Sequence, residues 1–474
     1  MILLLVSRSL AASWTVDPSG SGDFTSIQDA IDASSDGDTI SVADGTYTEA
    51  LDFDGKDVAI ASVNGSATTF LASSAPVAVT FENGESSAAS FTGFTIQTSA
   101  LGMSIDGADP TITDVVFDTL GSTSAAGGGA TVDDGSPTFT SCTWSGTLGN
   151  YGGGLYITSS DVTVTDSTFD DTGATYGGSI YVDEGELTID STTFTLTAST
   201  YGGGAIYATD DTTLTLTDVD FTDTHSQYGH GAAIVATNGS VIDWVGGSAD
   251  DTDSLYSTSG YSGAVYLYDE SELDASDVSF SNIDGYYGGA IYALSDYTIT
   301  LDACSFEDNT SVYGAAVSAT TSGTLTIRDS TFQNNTASYY GGGLYVYEDF
   351  DVTITGSTFD ENTATYGYGG AMELALEGSV TLDGNTFTDN TAYYGGGAVY
   401  ATQLNDSVVV TDSTFSDNES TWSGGAAIYA YYYTDVASSG NTYEDNTSAY
   451  YGGAIELYYA AEGTFEADTF EGNT

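Results

Sequence analysis

From Phe306 to Phe470 the chain repeats one phrase: "FQNNTASYYGGGLYVYE" from Phe332, "FDENTATYGYGGAMELA" from Phe359, "FTDNTAYYGGGAVYATQ" from Phe387. Aligned on the aromatic, the copies fall at Phe169, Phe194, Phe221, Phe280, Phe306, Phe332, Phe359, Phe387, Phe415, Tyr443 and Phe470, with gaps of 25 to 28 residues and one of 59. The long gap holds a degenerate copy, with Ala249 where an aromatic is due. A unit this short cannot enclose a core alone, but stacked on its neighbours it can.

Each copy carries two runs of alternation. After the glycines, Ile291 and Ala293 flank Tyr292; before the aromatic, Val162 and Val164 alternate with Thr163 and Thr165. Period 2 over a few residues means short strands with one face buried. From Phe306 onward an asparagine follows each aromatic by three residues (Asn309, Asn335, Asn362, Asn390, Asn418, Asn446, Asn473), placed to form an amide ladder from coil to coil. Earlier copies have Thr172, Thr197, Thr224 or Ile283 there, which predicts a less regular N-terminal half. The glycine pair suits a turn with positive φ or close backbone approach. A helical spacing of Phe24, Ile27, Ala30 and Ile31 predicts a short helix over the open end of the stack. The fold expected is all-β: a single right-handed parallel β-helix solenoid of 25 to 28 residues per coil with an N-terminal capping helix. Residues 1–13 read as a signal-peptide remnant, 14–70 as cap and first coils, 71–150 as irregular coils and 151–474 as the regular repeat.

The charge narrows the partners. Sixty-eight acidic residues against Arg8, Lys56 and Arg328 give a net −65, which opposes nucleic acid and anionic lipid. "MILLLVSRSLAAS" reads as an export signal lacking its basic start, and no segment is long and apolar enough to span a bilayer. Cys142 and Cys304 share one repeat position, about six coils and ~29 Å apart, too far for a disulfide. They read as small buried residues.

Two resemblances follow from these motifs. Gly22 to Tyr47 looks like the opening of pectin-lyase-like right-handed β-helix proteins, including pectin methylesterases. The alternation of "GGAI" or "GGGLY" with "FxxN" from about Gly152 resembles the repeats of chlamydial-type polymorphic outer membrane proteins, which are autotransporter adhesins. The resemblance implies a passenger displayed outside the cell, on a bacterial-type surface. No membrane β-barrel follows "FEGNT", where the next "YGG" is due, so a fragment or a further capping segment is expected.

The candidate sites compete. Asp210 and Asp211 followed by His230 in "YGHGAAI" resemble the Asp-Asp then Gly-His-Gly order of polygalacturonases, and Asp183 and Glu184 occupy the matching turn one coil earlier. His230 also fits as one substituted glycine of the ordinary turn, and the expectation is a scaffold without catalysis. A threonine column (Thr163, Thr188, Thr215, Thr300, Thr326, Thr353, Thr381) resembles an ice-binding face, but charges interrupt the column beside it. No cofactor is required; stacked carboxylates could hold calcium, without the D-x-D loops of dedicated sites. The binding candidates are the tyrosines between the inward residues, Tyr156, Tyr181, Tyr207, Tyr266, Tyr292, Tyr345, Tyr400 and Tyr429, which alternation turns outward. A second column precedes the glycines, including Tyr201, Tyr228, Tyr261, Tyr340, Tyr394, Trp422 and Tyr451. The functional expectation is an adhesin-like protein whose partner is a glycan or protein on a cell or matrix surface.

Overall fold

The computed structural model describes residues 11–124, 126–254 and 263–474. Most of the apolar opening run, and Tyr261, lie outside the described residues. The chain divides into two compact units, Met1–Ala174 with Gly185–Thr188, and Thr175–Glu184 with Ile189–Thr474. Each is a right-handed parallel β-helix.

In the first unit, α1 (Ile27–Ala33) buries Ile27, Ala30 and Ile31. Ser26 caps it by accepting from the Asp29 amide at 3.2 Å, and the Glu49 carboxylate accepts from the Ile27 and Gln28 amides at 2.8 and 3.1 Å. These satisfy donors that a helix start leaves unpaired. At the other end Lys56 Nζ donates to the carbonyls of Ile31 and Asp32 at 2.9 and 3.1 Å, where a cation suits the helix dipole. Phe24, read as part of this helix, precedes it. The Ser26 cap starts the helix later, and Phe24 bridges to Val16 and packs edge-on to Trp14 at 5.4 Å. Further along, Trp144 is stacked between Phe117 at 5.1 Å and Phe169 at 4.3 Å.

A coil of the second unit has four strands rather than two: Leu344–Tyr347, Phe350–Thr355, Thr358–Asp360 and Thr363–Ala364. The last two are too short to show alternation in a sequence. Each pairs in parallel and in register with the next coil, as in Leu344 to Met372, Phe350 to Gly378, Phe359 to Phe387 and Thr363 to Thr391. At Gly341 (φ +58°) a Cβ would lie 1.8 Å from the Leu344 carbonyl oxygen, so the turn closes only around glycine.

Inside, the repeat aromatics form a continuous stack. Centroids are 4.9 Å apart for Phe280 and Phe306, 4.7 Å for Phe306 and Phe332, 4.5 Å for Phe332 and Phe359, and 5.0 Å for Phe359 and Phe387. In the degenerate copy Ala249 pairs with Phe221 and Phe280, and Trp244 fills the lost volume, edge-on to both at 5.4 Å. The asparagine ladder forms. The Asn362 amide donates to Phe332 O at 2.9 Å and to Asn390 Oδ1 at 3.0 Å, while its own Oδ1 accepts from the Asn335 side chain at 3.0 Å and backbone at 3.2 Å. Where threonine holds the slot, the buried hydroxyls of Thr197, Thr224 and Thr252 have no hydrogen-bond partner, which costs about 1–3 kcal/mol each. Both cysteines are free and buried, and their amides donate to the serines of the next rung, Ser167 and Ser330, at 3.0 and 3.1 Å. Burial pushes the thiols up to about 12 at Cys142 and about 11 at Cys304, so both stay protonated at neutral pH.

Phe359→Ala should cost about 3–5 kcal/mol, as deletion of a buried ring does. Contacts run only to adjacent coils, so hydrogen exchange should accelerate from about residue 332 to 415 while distant coils keep their protection. Uniform loss along the unit would contradict the stacked arrangement.

Candidate functional site

The tyrosines expected to line an exposed flank are covered, and that expectation is corrected. Tyr266, Tyr292, Tyr400 and Tyr429 are only 4–8 % exposed, and Tyr156, Tyr181, Tyr207 and Tyr345 are half-buried. They do point away from the aromatic stack. The segment before each glycine turn folds back over them and brings a second layer of rings. Tyr287 stacks on Tyr292 at 5.5 Å, Tyr340 on Tyr345 at 6.0 Å and Tyr368 on Tyr400 at 4.3 Å. Val235, Tyr266 and Tyr292 form a small core of their own. Alternation fixes direction, not exposure, and the short strands that supply the cover gave no signal in the sequence.

The exposed aromatics lie further out. Tyr339 (47 %), Tyr366 (62 %), Tyr393 (36 %), Trp422 (54 %) and Tyr450 (66 %) occupy one place on successive coils. Neighbouring rings touch along the column, at 6.3 Å for Tyr339 and Tyr366, 6.1 Å for Tyr393 and Trp422, and 6.0 Å for Trp422 and Tyr450. Of these only Trp422 was singled out from the sequence. The signal was the doubled aromatic in "SYYGG" and "AYYGG": in the first, Tyr339 faces solvent while Tyr340 covers the layer beneath, and in the second both rings, Tyr393 and Tyr394, are exposed. Tyr201, Tyr228, Tyr394 and Tyr451 from the second column are also exposed, and Tyr340 is half-buried.

Glu373 interrupts the covered layer. It pairs in register with Tyr345 and Tyr400, is 6 % exposed, and its Oε2 has no hydrogen-bond partner. Burial drives its carboxyl well above the usual range, so it enters the fold as the neutral acid. The titratable groups around it are the phenols of Tyr340, Tyr345, Tyr368 and Tyr400, themselves raised first by burial and then by Glu373.

The acidic turn forms a different site. Asp210 and Asp211 both adopt left-handed backbone, with φ +54° and +57°, and Asn238 Nδ2 donates to Asp210 Oδ1 at 2.7 Å. Asp183 hydrogen-bonds Asp210; burial first, and then the Asp210 charge and that bond, raise its carboxyl. His230 is not brought to them. It sits in the glycine turn, stacked on Tyr266 at 4.4 Å, and burial lowers its imidazole to about 4. Strand Ile234–Thr237 lies between that turn and Asn238, a separation of about 13 Å. Among the described residues no three His, Cys, Asp or Glu side chains are placed to hold a metal ion, and no helix is long and apolar enough to cross a membrane.

These features define a class: repeat solenoids with one continuous core and long side-chain columns on their flanks. The description "right handed beta helix region" matches residues 55–238, 202–403 and 315–474, and the chain belongs to that family. No curated protein matches it. Among solved structures it is similar to a pectin methylesterase from carrot, at 16 % identity and a TM-score of 0.32 over 63 % of this chain and 84 % of that one. It is also similar to the PL6 family alginate lyase AlyGC, at 9 % identity and a TM-score of 0.28 over 98 % of this chain and 100 % of that one. The expectation of a chain without catalysis is corrected: solved structures that share this fold include a pectin methylesterase and an alginate lyase. At these identities and scores the likeness shows the fold alone.

Glu373 yields a pH prediction. Its folded carboxyl holds a proton that the unfolded chain releases above the ordinary value of 4.5, so its contribution is fully present below that pH and is lost as pH rises toward the raised folded value. Glu373→Tyr, which restores the residue of the neighbouring coils, should stabilise the protein by about 1–3 kcal/mol at pH 7.5, with a smaller gain near pH 4. Urea melts at both pH values measure this; a gain independent of pH would show that the carboxyl is not buried as a neutral acid.

Proposed function

We propose that this protein is a secreted or surface-displayed, adhesin-like binding protein of bacterial type, which attaches to a glycan or protein surface through the aromatic belt from Tyr339 to Tyr450. The observation that carries this is the belt itself: large rings 36–66 % exposed on successive coils. Exposed tyrosine and tryptophan offer wide contact area at low entropic cost and are enriched at recognition surfaces. The rings adjoin in two runs, Tyr339 with Tyr366 and Tyr393 with Trp422 and Tyr450, at 6.0–6.3 Å between centroids. Weak contacts repeated on one support combine through avidity. The net charge of −65 keeps an aromatic surface soluble and disfavours polyanionic partners.

A second reading, a polysaccharide-active enzyme, is favoured by the Asp183–Asp210 pair. A carboxyl raised by burial and by a neighbouring carboxylate is the kind of arrangement that serves a general acid with its base or nucleophile. Neutral His230 is a turn residue in this reading. If the pair acts, hydrolysis of polygalacturonate or a neutral polysaccharide by the intact protein should fall about 100-fold or more in Asp183→Asn and in Asp210→Asn. Equal rates in wild type and both variants would remove the pair from consideration.

For the binding reading, Tyr339, Tyr366, Tyr393 and Trp422 are replaced together by Ser. The circular dichroism spectrum and melting temperature should hold, because these side chains lie outside both packed layers, while binding to cells or glycan arrays should fall at least about tenfold. Unchanged binding by the folded variant would place any adhesive surface elsewhere.

A further inference from the structure

In most coils the turn that follows the leading strand has two residues in left-handed backbone. Most coils fill it with residues such as Asp210 and Asp211, Asp269 and Glu270, or Asn238 and Gly239. Aspartate, asparagine and glycine tolerate that region; a bulky side chain there is strained. Leu376 (φ +66°), Thr321 (φ +65°) and Gln403 (φ +56°) also stand in this turn, and two adjacent coils put aromatic rings there. Tyr432 (φ +53°) and Tyr433 (φ +61°) hold one turn, and Tyr459 (φ +59°) with Ala460 (φ +64°) the next. Strained residues of this kind persist where the surroundings impose them, and they cluster at working sites.

The rings are arranged as a corner. Tyr432 and Tyr459 stack at 4.8 Å with planes 10° apart, while Tyr433 stands across both, at 5.0 Å and 86° to Tyr432 and at 6.2 Å and 89° to Tyr459. Tyr433 is 61 % and Tyr459 54 % exposed, so ring surface remains open to solvent. Two exposed carboxylates border the corner: Asp435, whose Oδ1 accepts from the Glu462 amide at 2.8 Å, and Glu462 itself. Open aromatic faces beside carboxylates attract ammonium and guanidinium groups. Among the described residues the chain does not supply such a group here. Lys56 is engaged at the end of α1, Arg328 ends strand Gly323–Arg328 in another coil, and Arg8 lies outside the described residues.

From the ring geometry and the charge around it, we propose that the Tyr432–Tyr433–Tyr459 corner is a docking site for lysine or arginine side chains of a basic protein partner. It is distinct from the aromatic belt, which holds a different face of the coils, and does not depend on the belt's function. The negative field of the molecule steers the partner and the rings hold the cations.

The test uses the whole protein and a fluorescent oligolysine peptide, with an N-acetylated oligolysine as control. Mere charge attraction predicts that Tyr432→Asp/Tyr433→Asp/Tyr459→Asp, which adds three carboxylates, binds oligolysine more tightly. The proposal predicts binding about tenfold weaker despite the added charge. The melting temperature should be unchanged or higher, since Asp is what this backbone takes elsewhere. If the triple variant misfolds, Tyr433→Asp alone gives the same reading from the most exposed ring. The triple Phe variant keeps the rings and should bind within about twofold of wild type. Equal or tighter binding by the Asp variants, or loss in the Phe variant, overturns the proposal. So does binding of phosphatidylcholine vesicles with none of oligolysine, which would move the ammonium source to lipid. The belt variant with four Ser should still bind oligolysine, so failure of one site is distinguishable from failure of the other.

Discussion

One buried amide sets the register of the repetitive unit. Asn362 uses both side-chain hydrogens and both oxygen lone pairs, toward the coil before and the coil after. A slip of one residue would bury all these groups unpaired, at about 1–3 kcal/mol for each. The same slip would turn the phenylalanines outward, since strand faces alternate. The distance from aromatic to asparagine is therefore constant, and the variation in coil length is taken up in the glycine turn and the acidic turn. Where threonine replaces the amide the ladder stops, and the buried hydroxyls of Thr197, Thr224 and Thr252 are orphaned. The parallel strand pairing and the inward side chains then hold the coils in line.

The acidity of the chain is partly a consequence of its backbone. The residue just before each ladder asparagine has positive φ, as at Asp308, Glu361, Asp389, Asp417 and Asp445, and so does the turn before the aromatic strand, as at Asp329 and Asp412. Aspartate is among the few residues that accept this conformation. Stacked at about 4.8 Å, such carboxylates repel one another. At Asp389, burial first and then Asp417 and Asp360 raise the carboxyl. The column is relieved in places by glycine. At Gly356 an added Cβ would lie 2.5 Å from Asp329 Oδ1, so the aspartate of one coil leans over the glycine of the next.

The sequence revealed what is periodic. The inward Ile, Val and Phe, the asparagine column, the degenerate copy around Ala249 and the cap helix were legible because each imposes a residue type at a fixed spacing. Three-residue strands such as Thr358–Asp360 were not legible, since alternation cannot be read over so few residues. Nor was the outer layer. Whether Tyr292 is wet or dry depends on where Tyr287 lands after a chain reversal, and no local pattern encodes that. The Asp183–Asp210 contact was legible as two acidic turns one coil apart; the remoteness of His230 was not, because linear order places it near them.

The tyrosines thus do two kinds of work, separated by depth. Rings such as Tyr287, Tyr340 and Tyr368 close a second hydrophobic layer, which gives the stack width beyond its aromatic column. The outer rings contribute little to that layer and remain in solvent. A solenoid that needed only cover could place a lysine or glutamine at the outer position, where a long stem packs and a polar end stays wet. This chain instead places a ring there, coil after coil from Tyr339 to Tyr450, and a ring again in the strained turn at Tyr432 and Tyr433. Packing does not explain the first choice and backbone preference opposes the second. What both share is an aromatic surface presented by a strongly acidic molecule, and the proposed recognition of another surface rests on that arrangement.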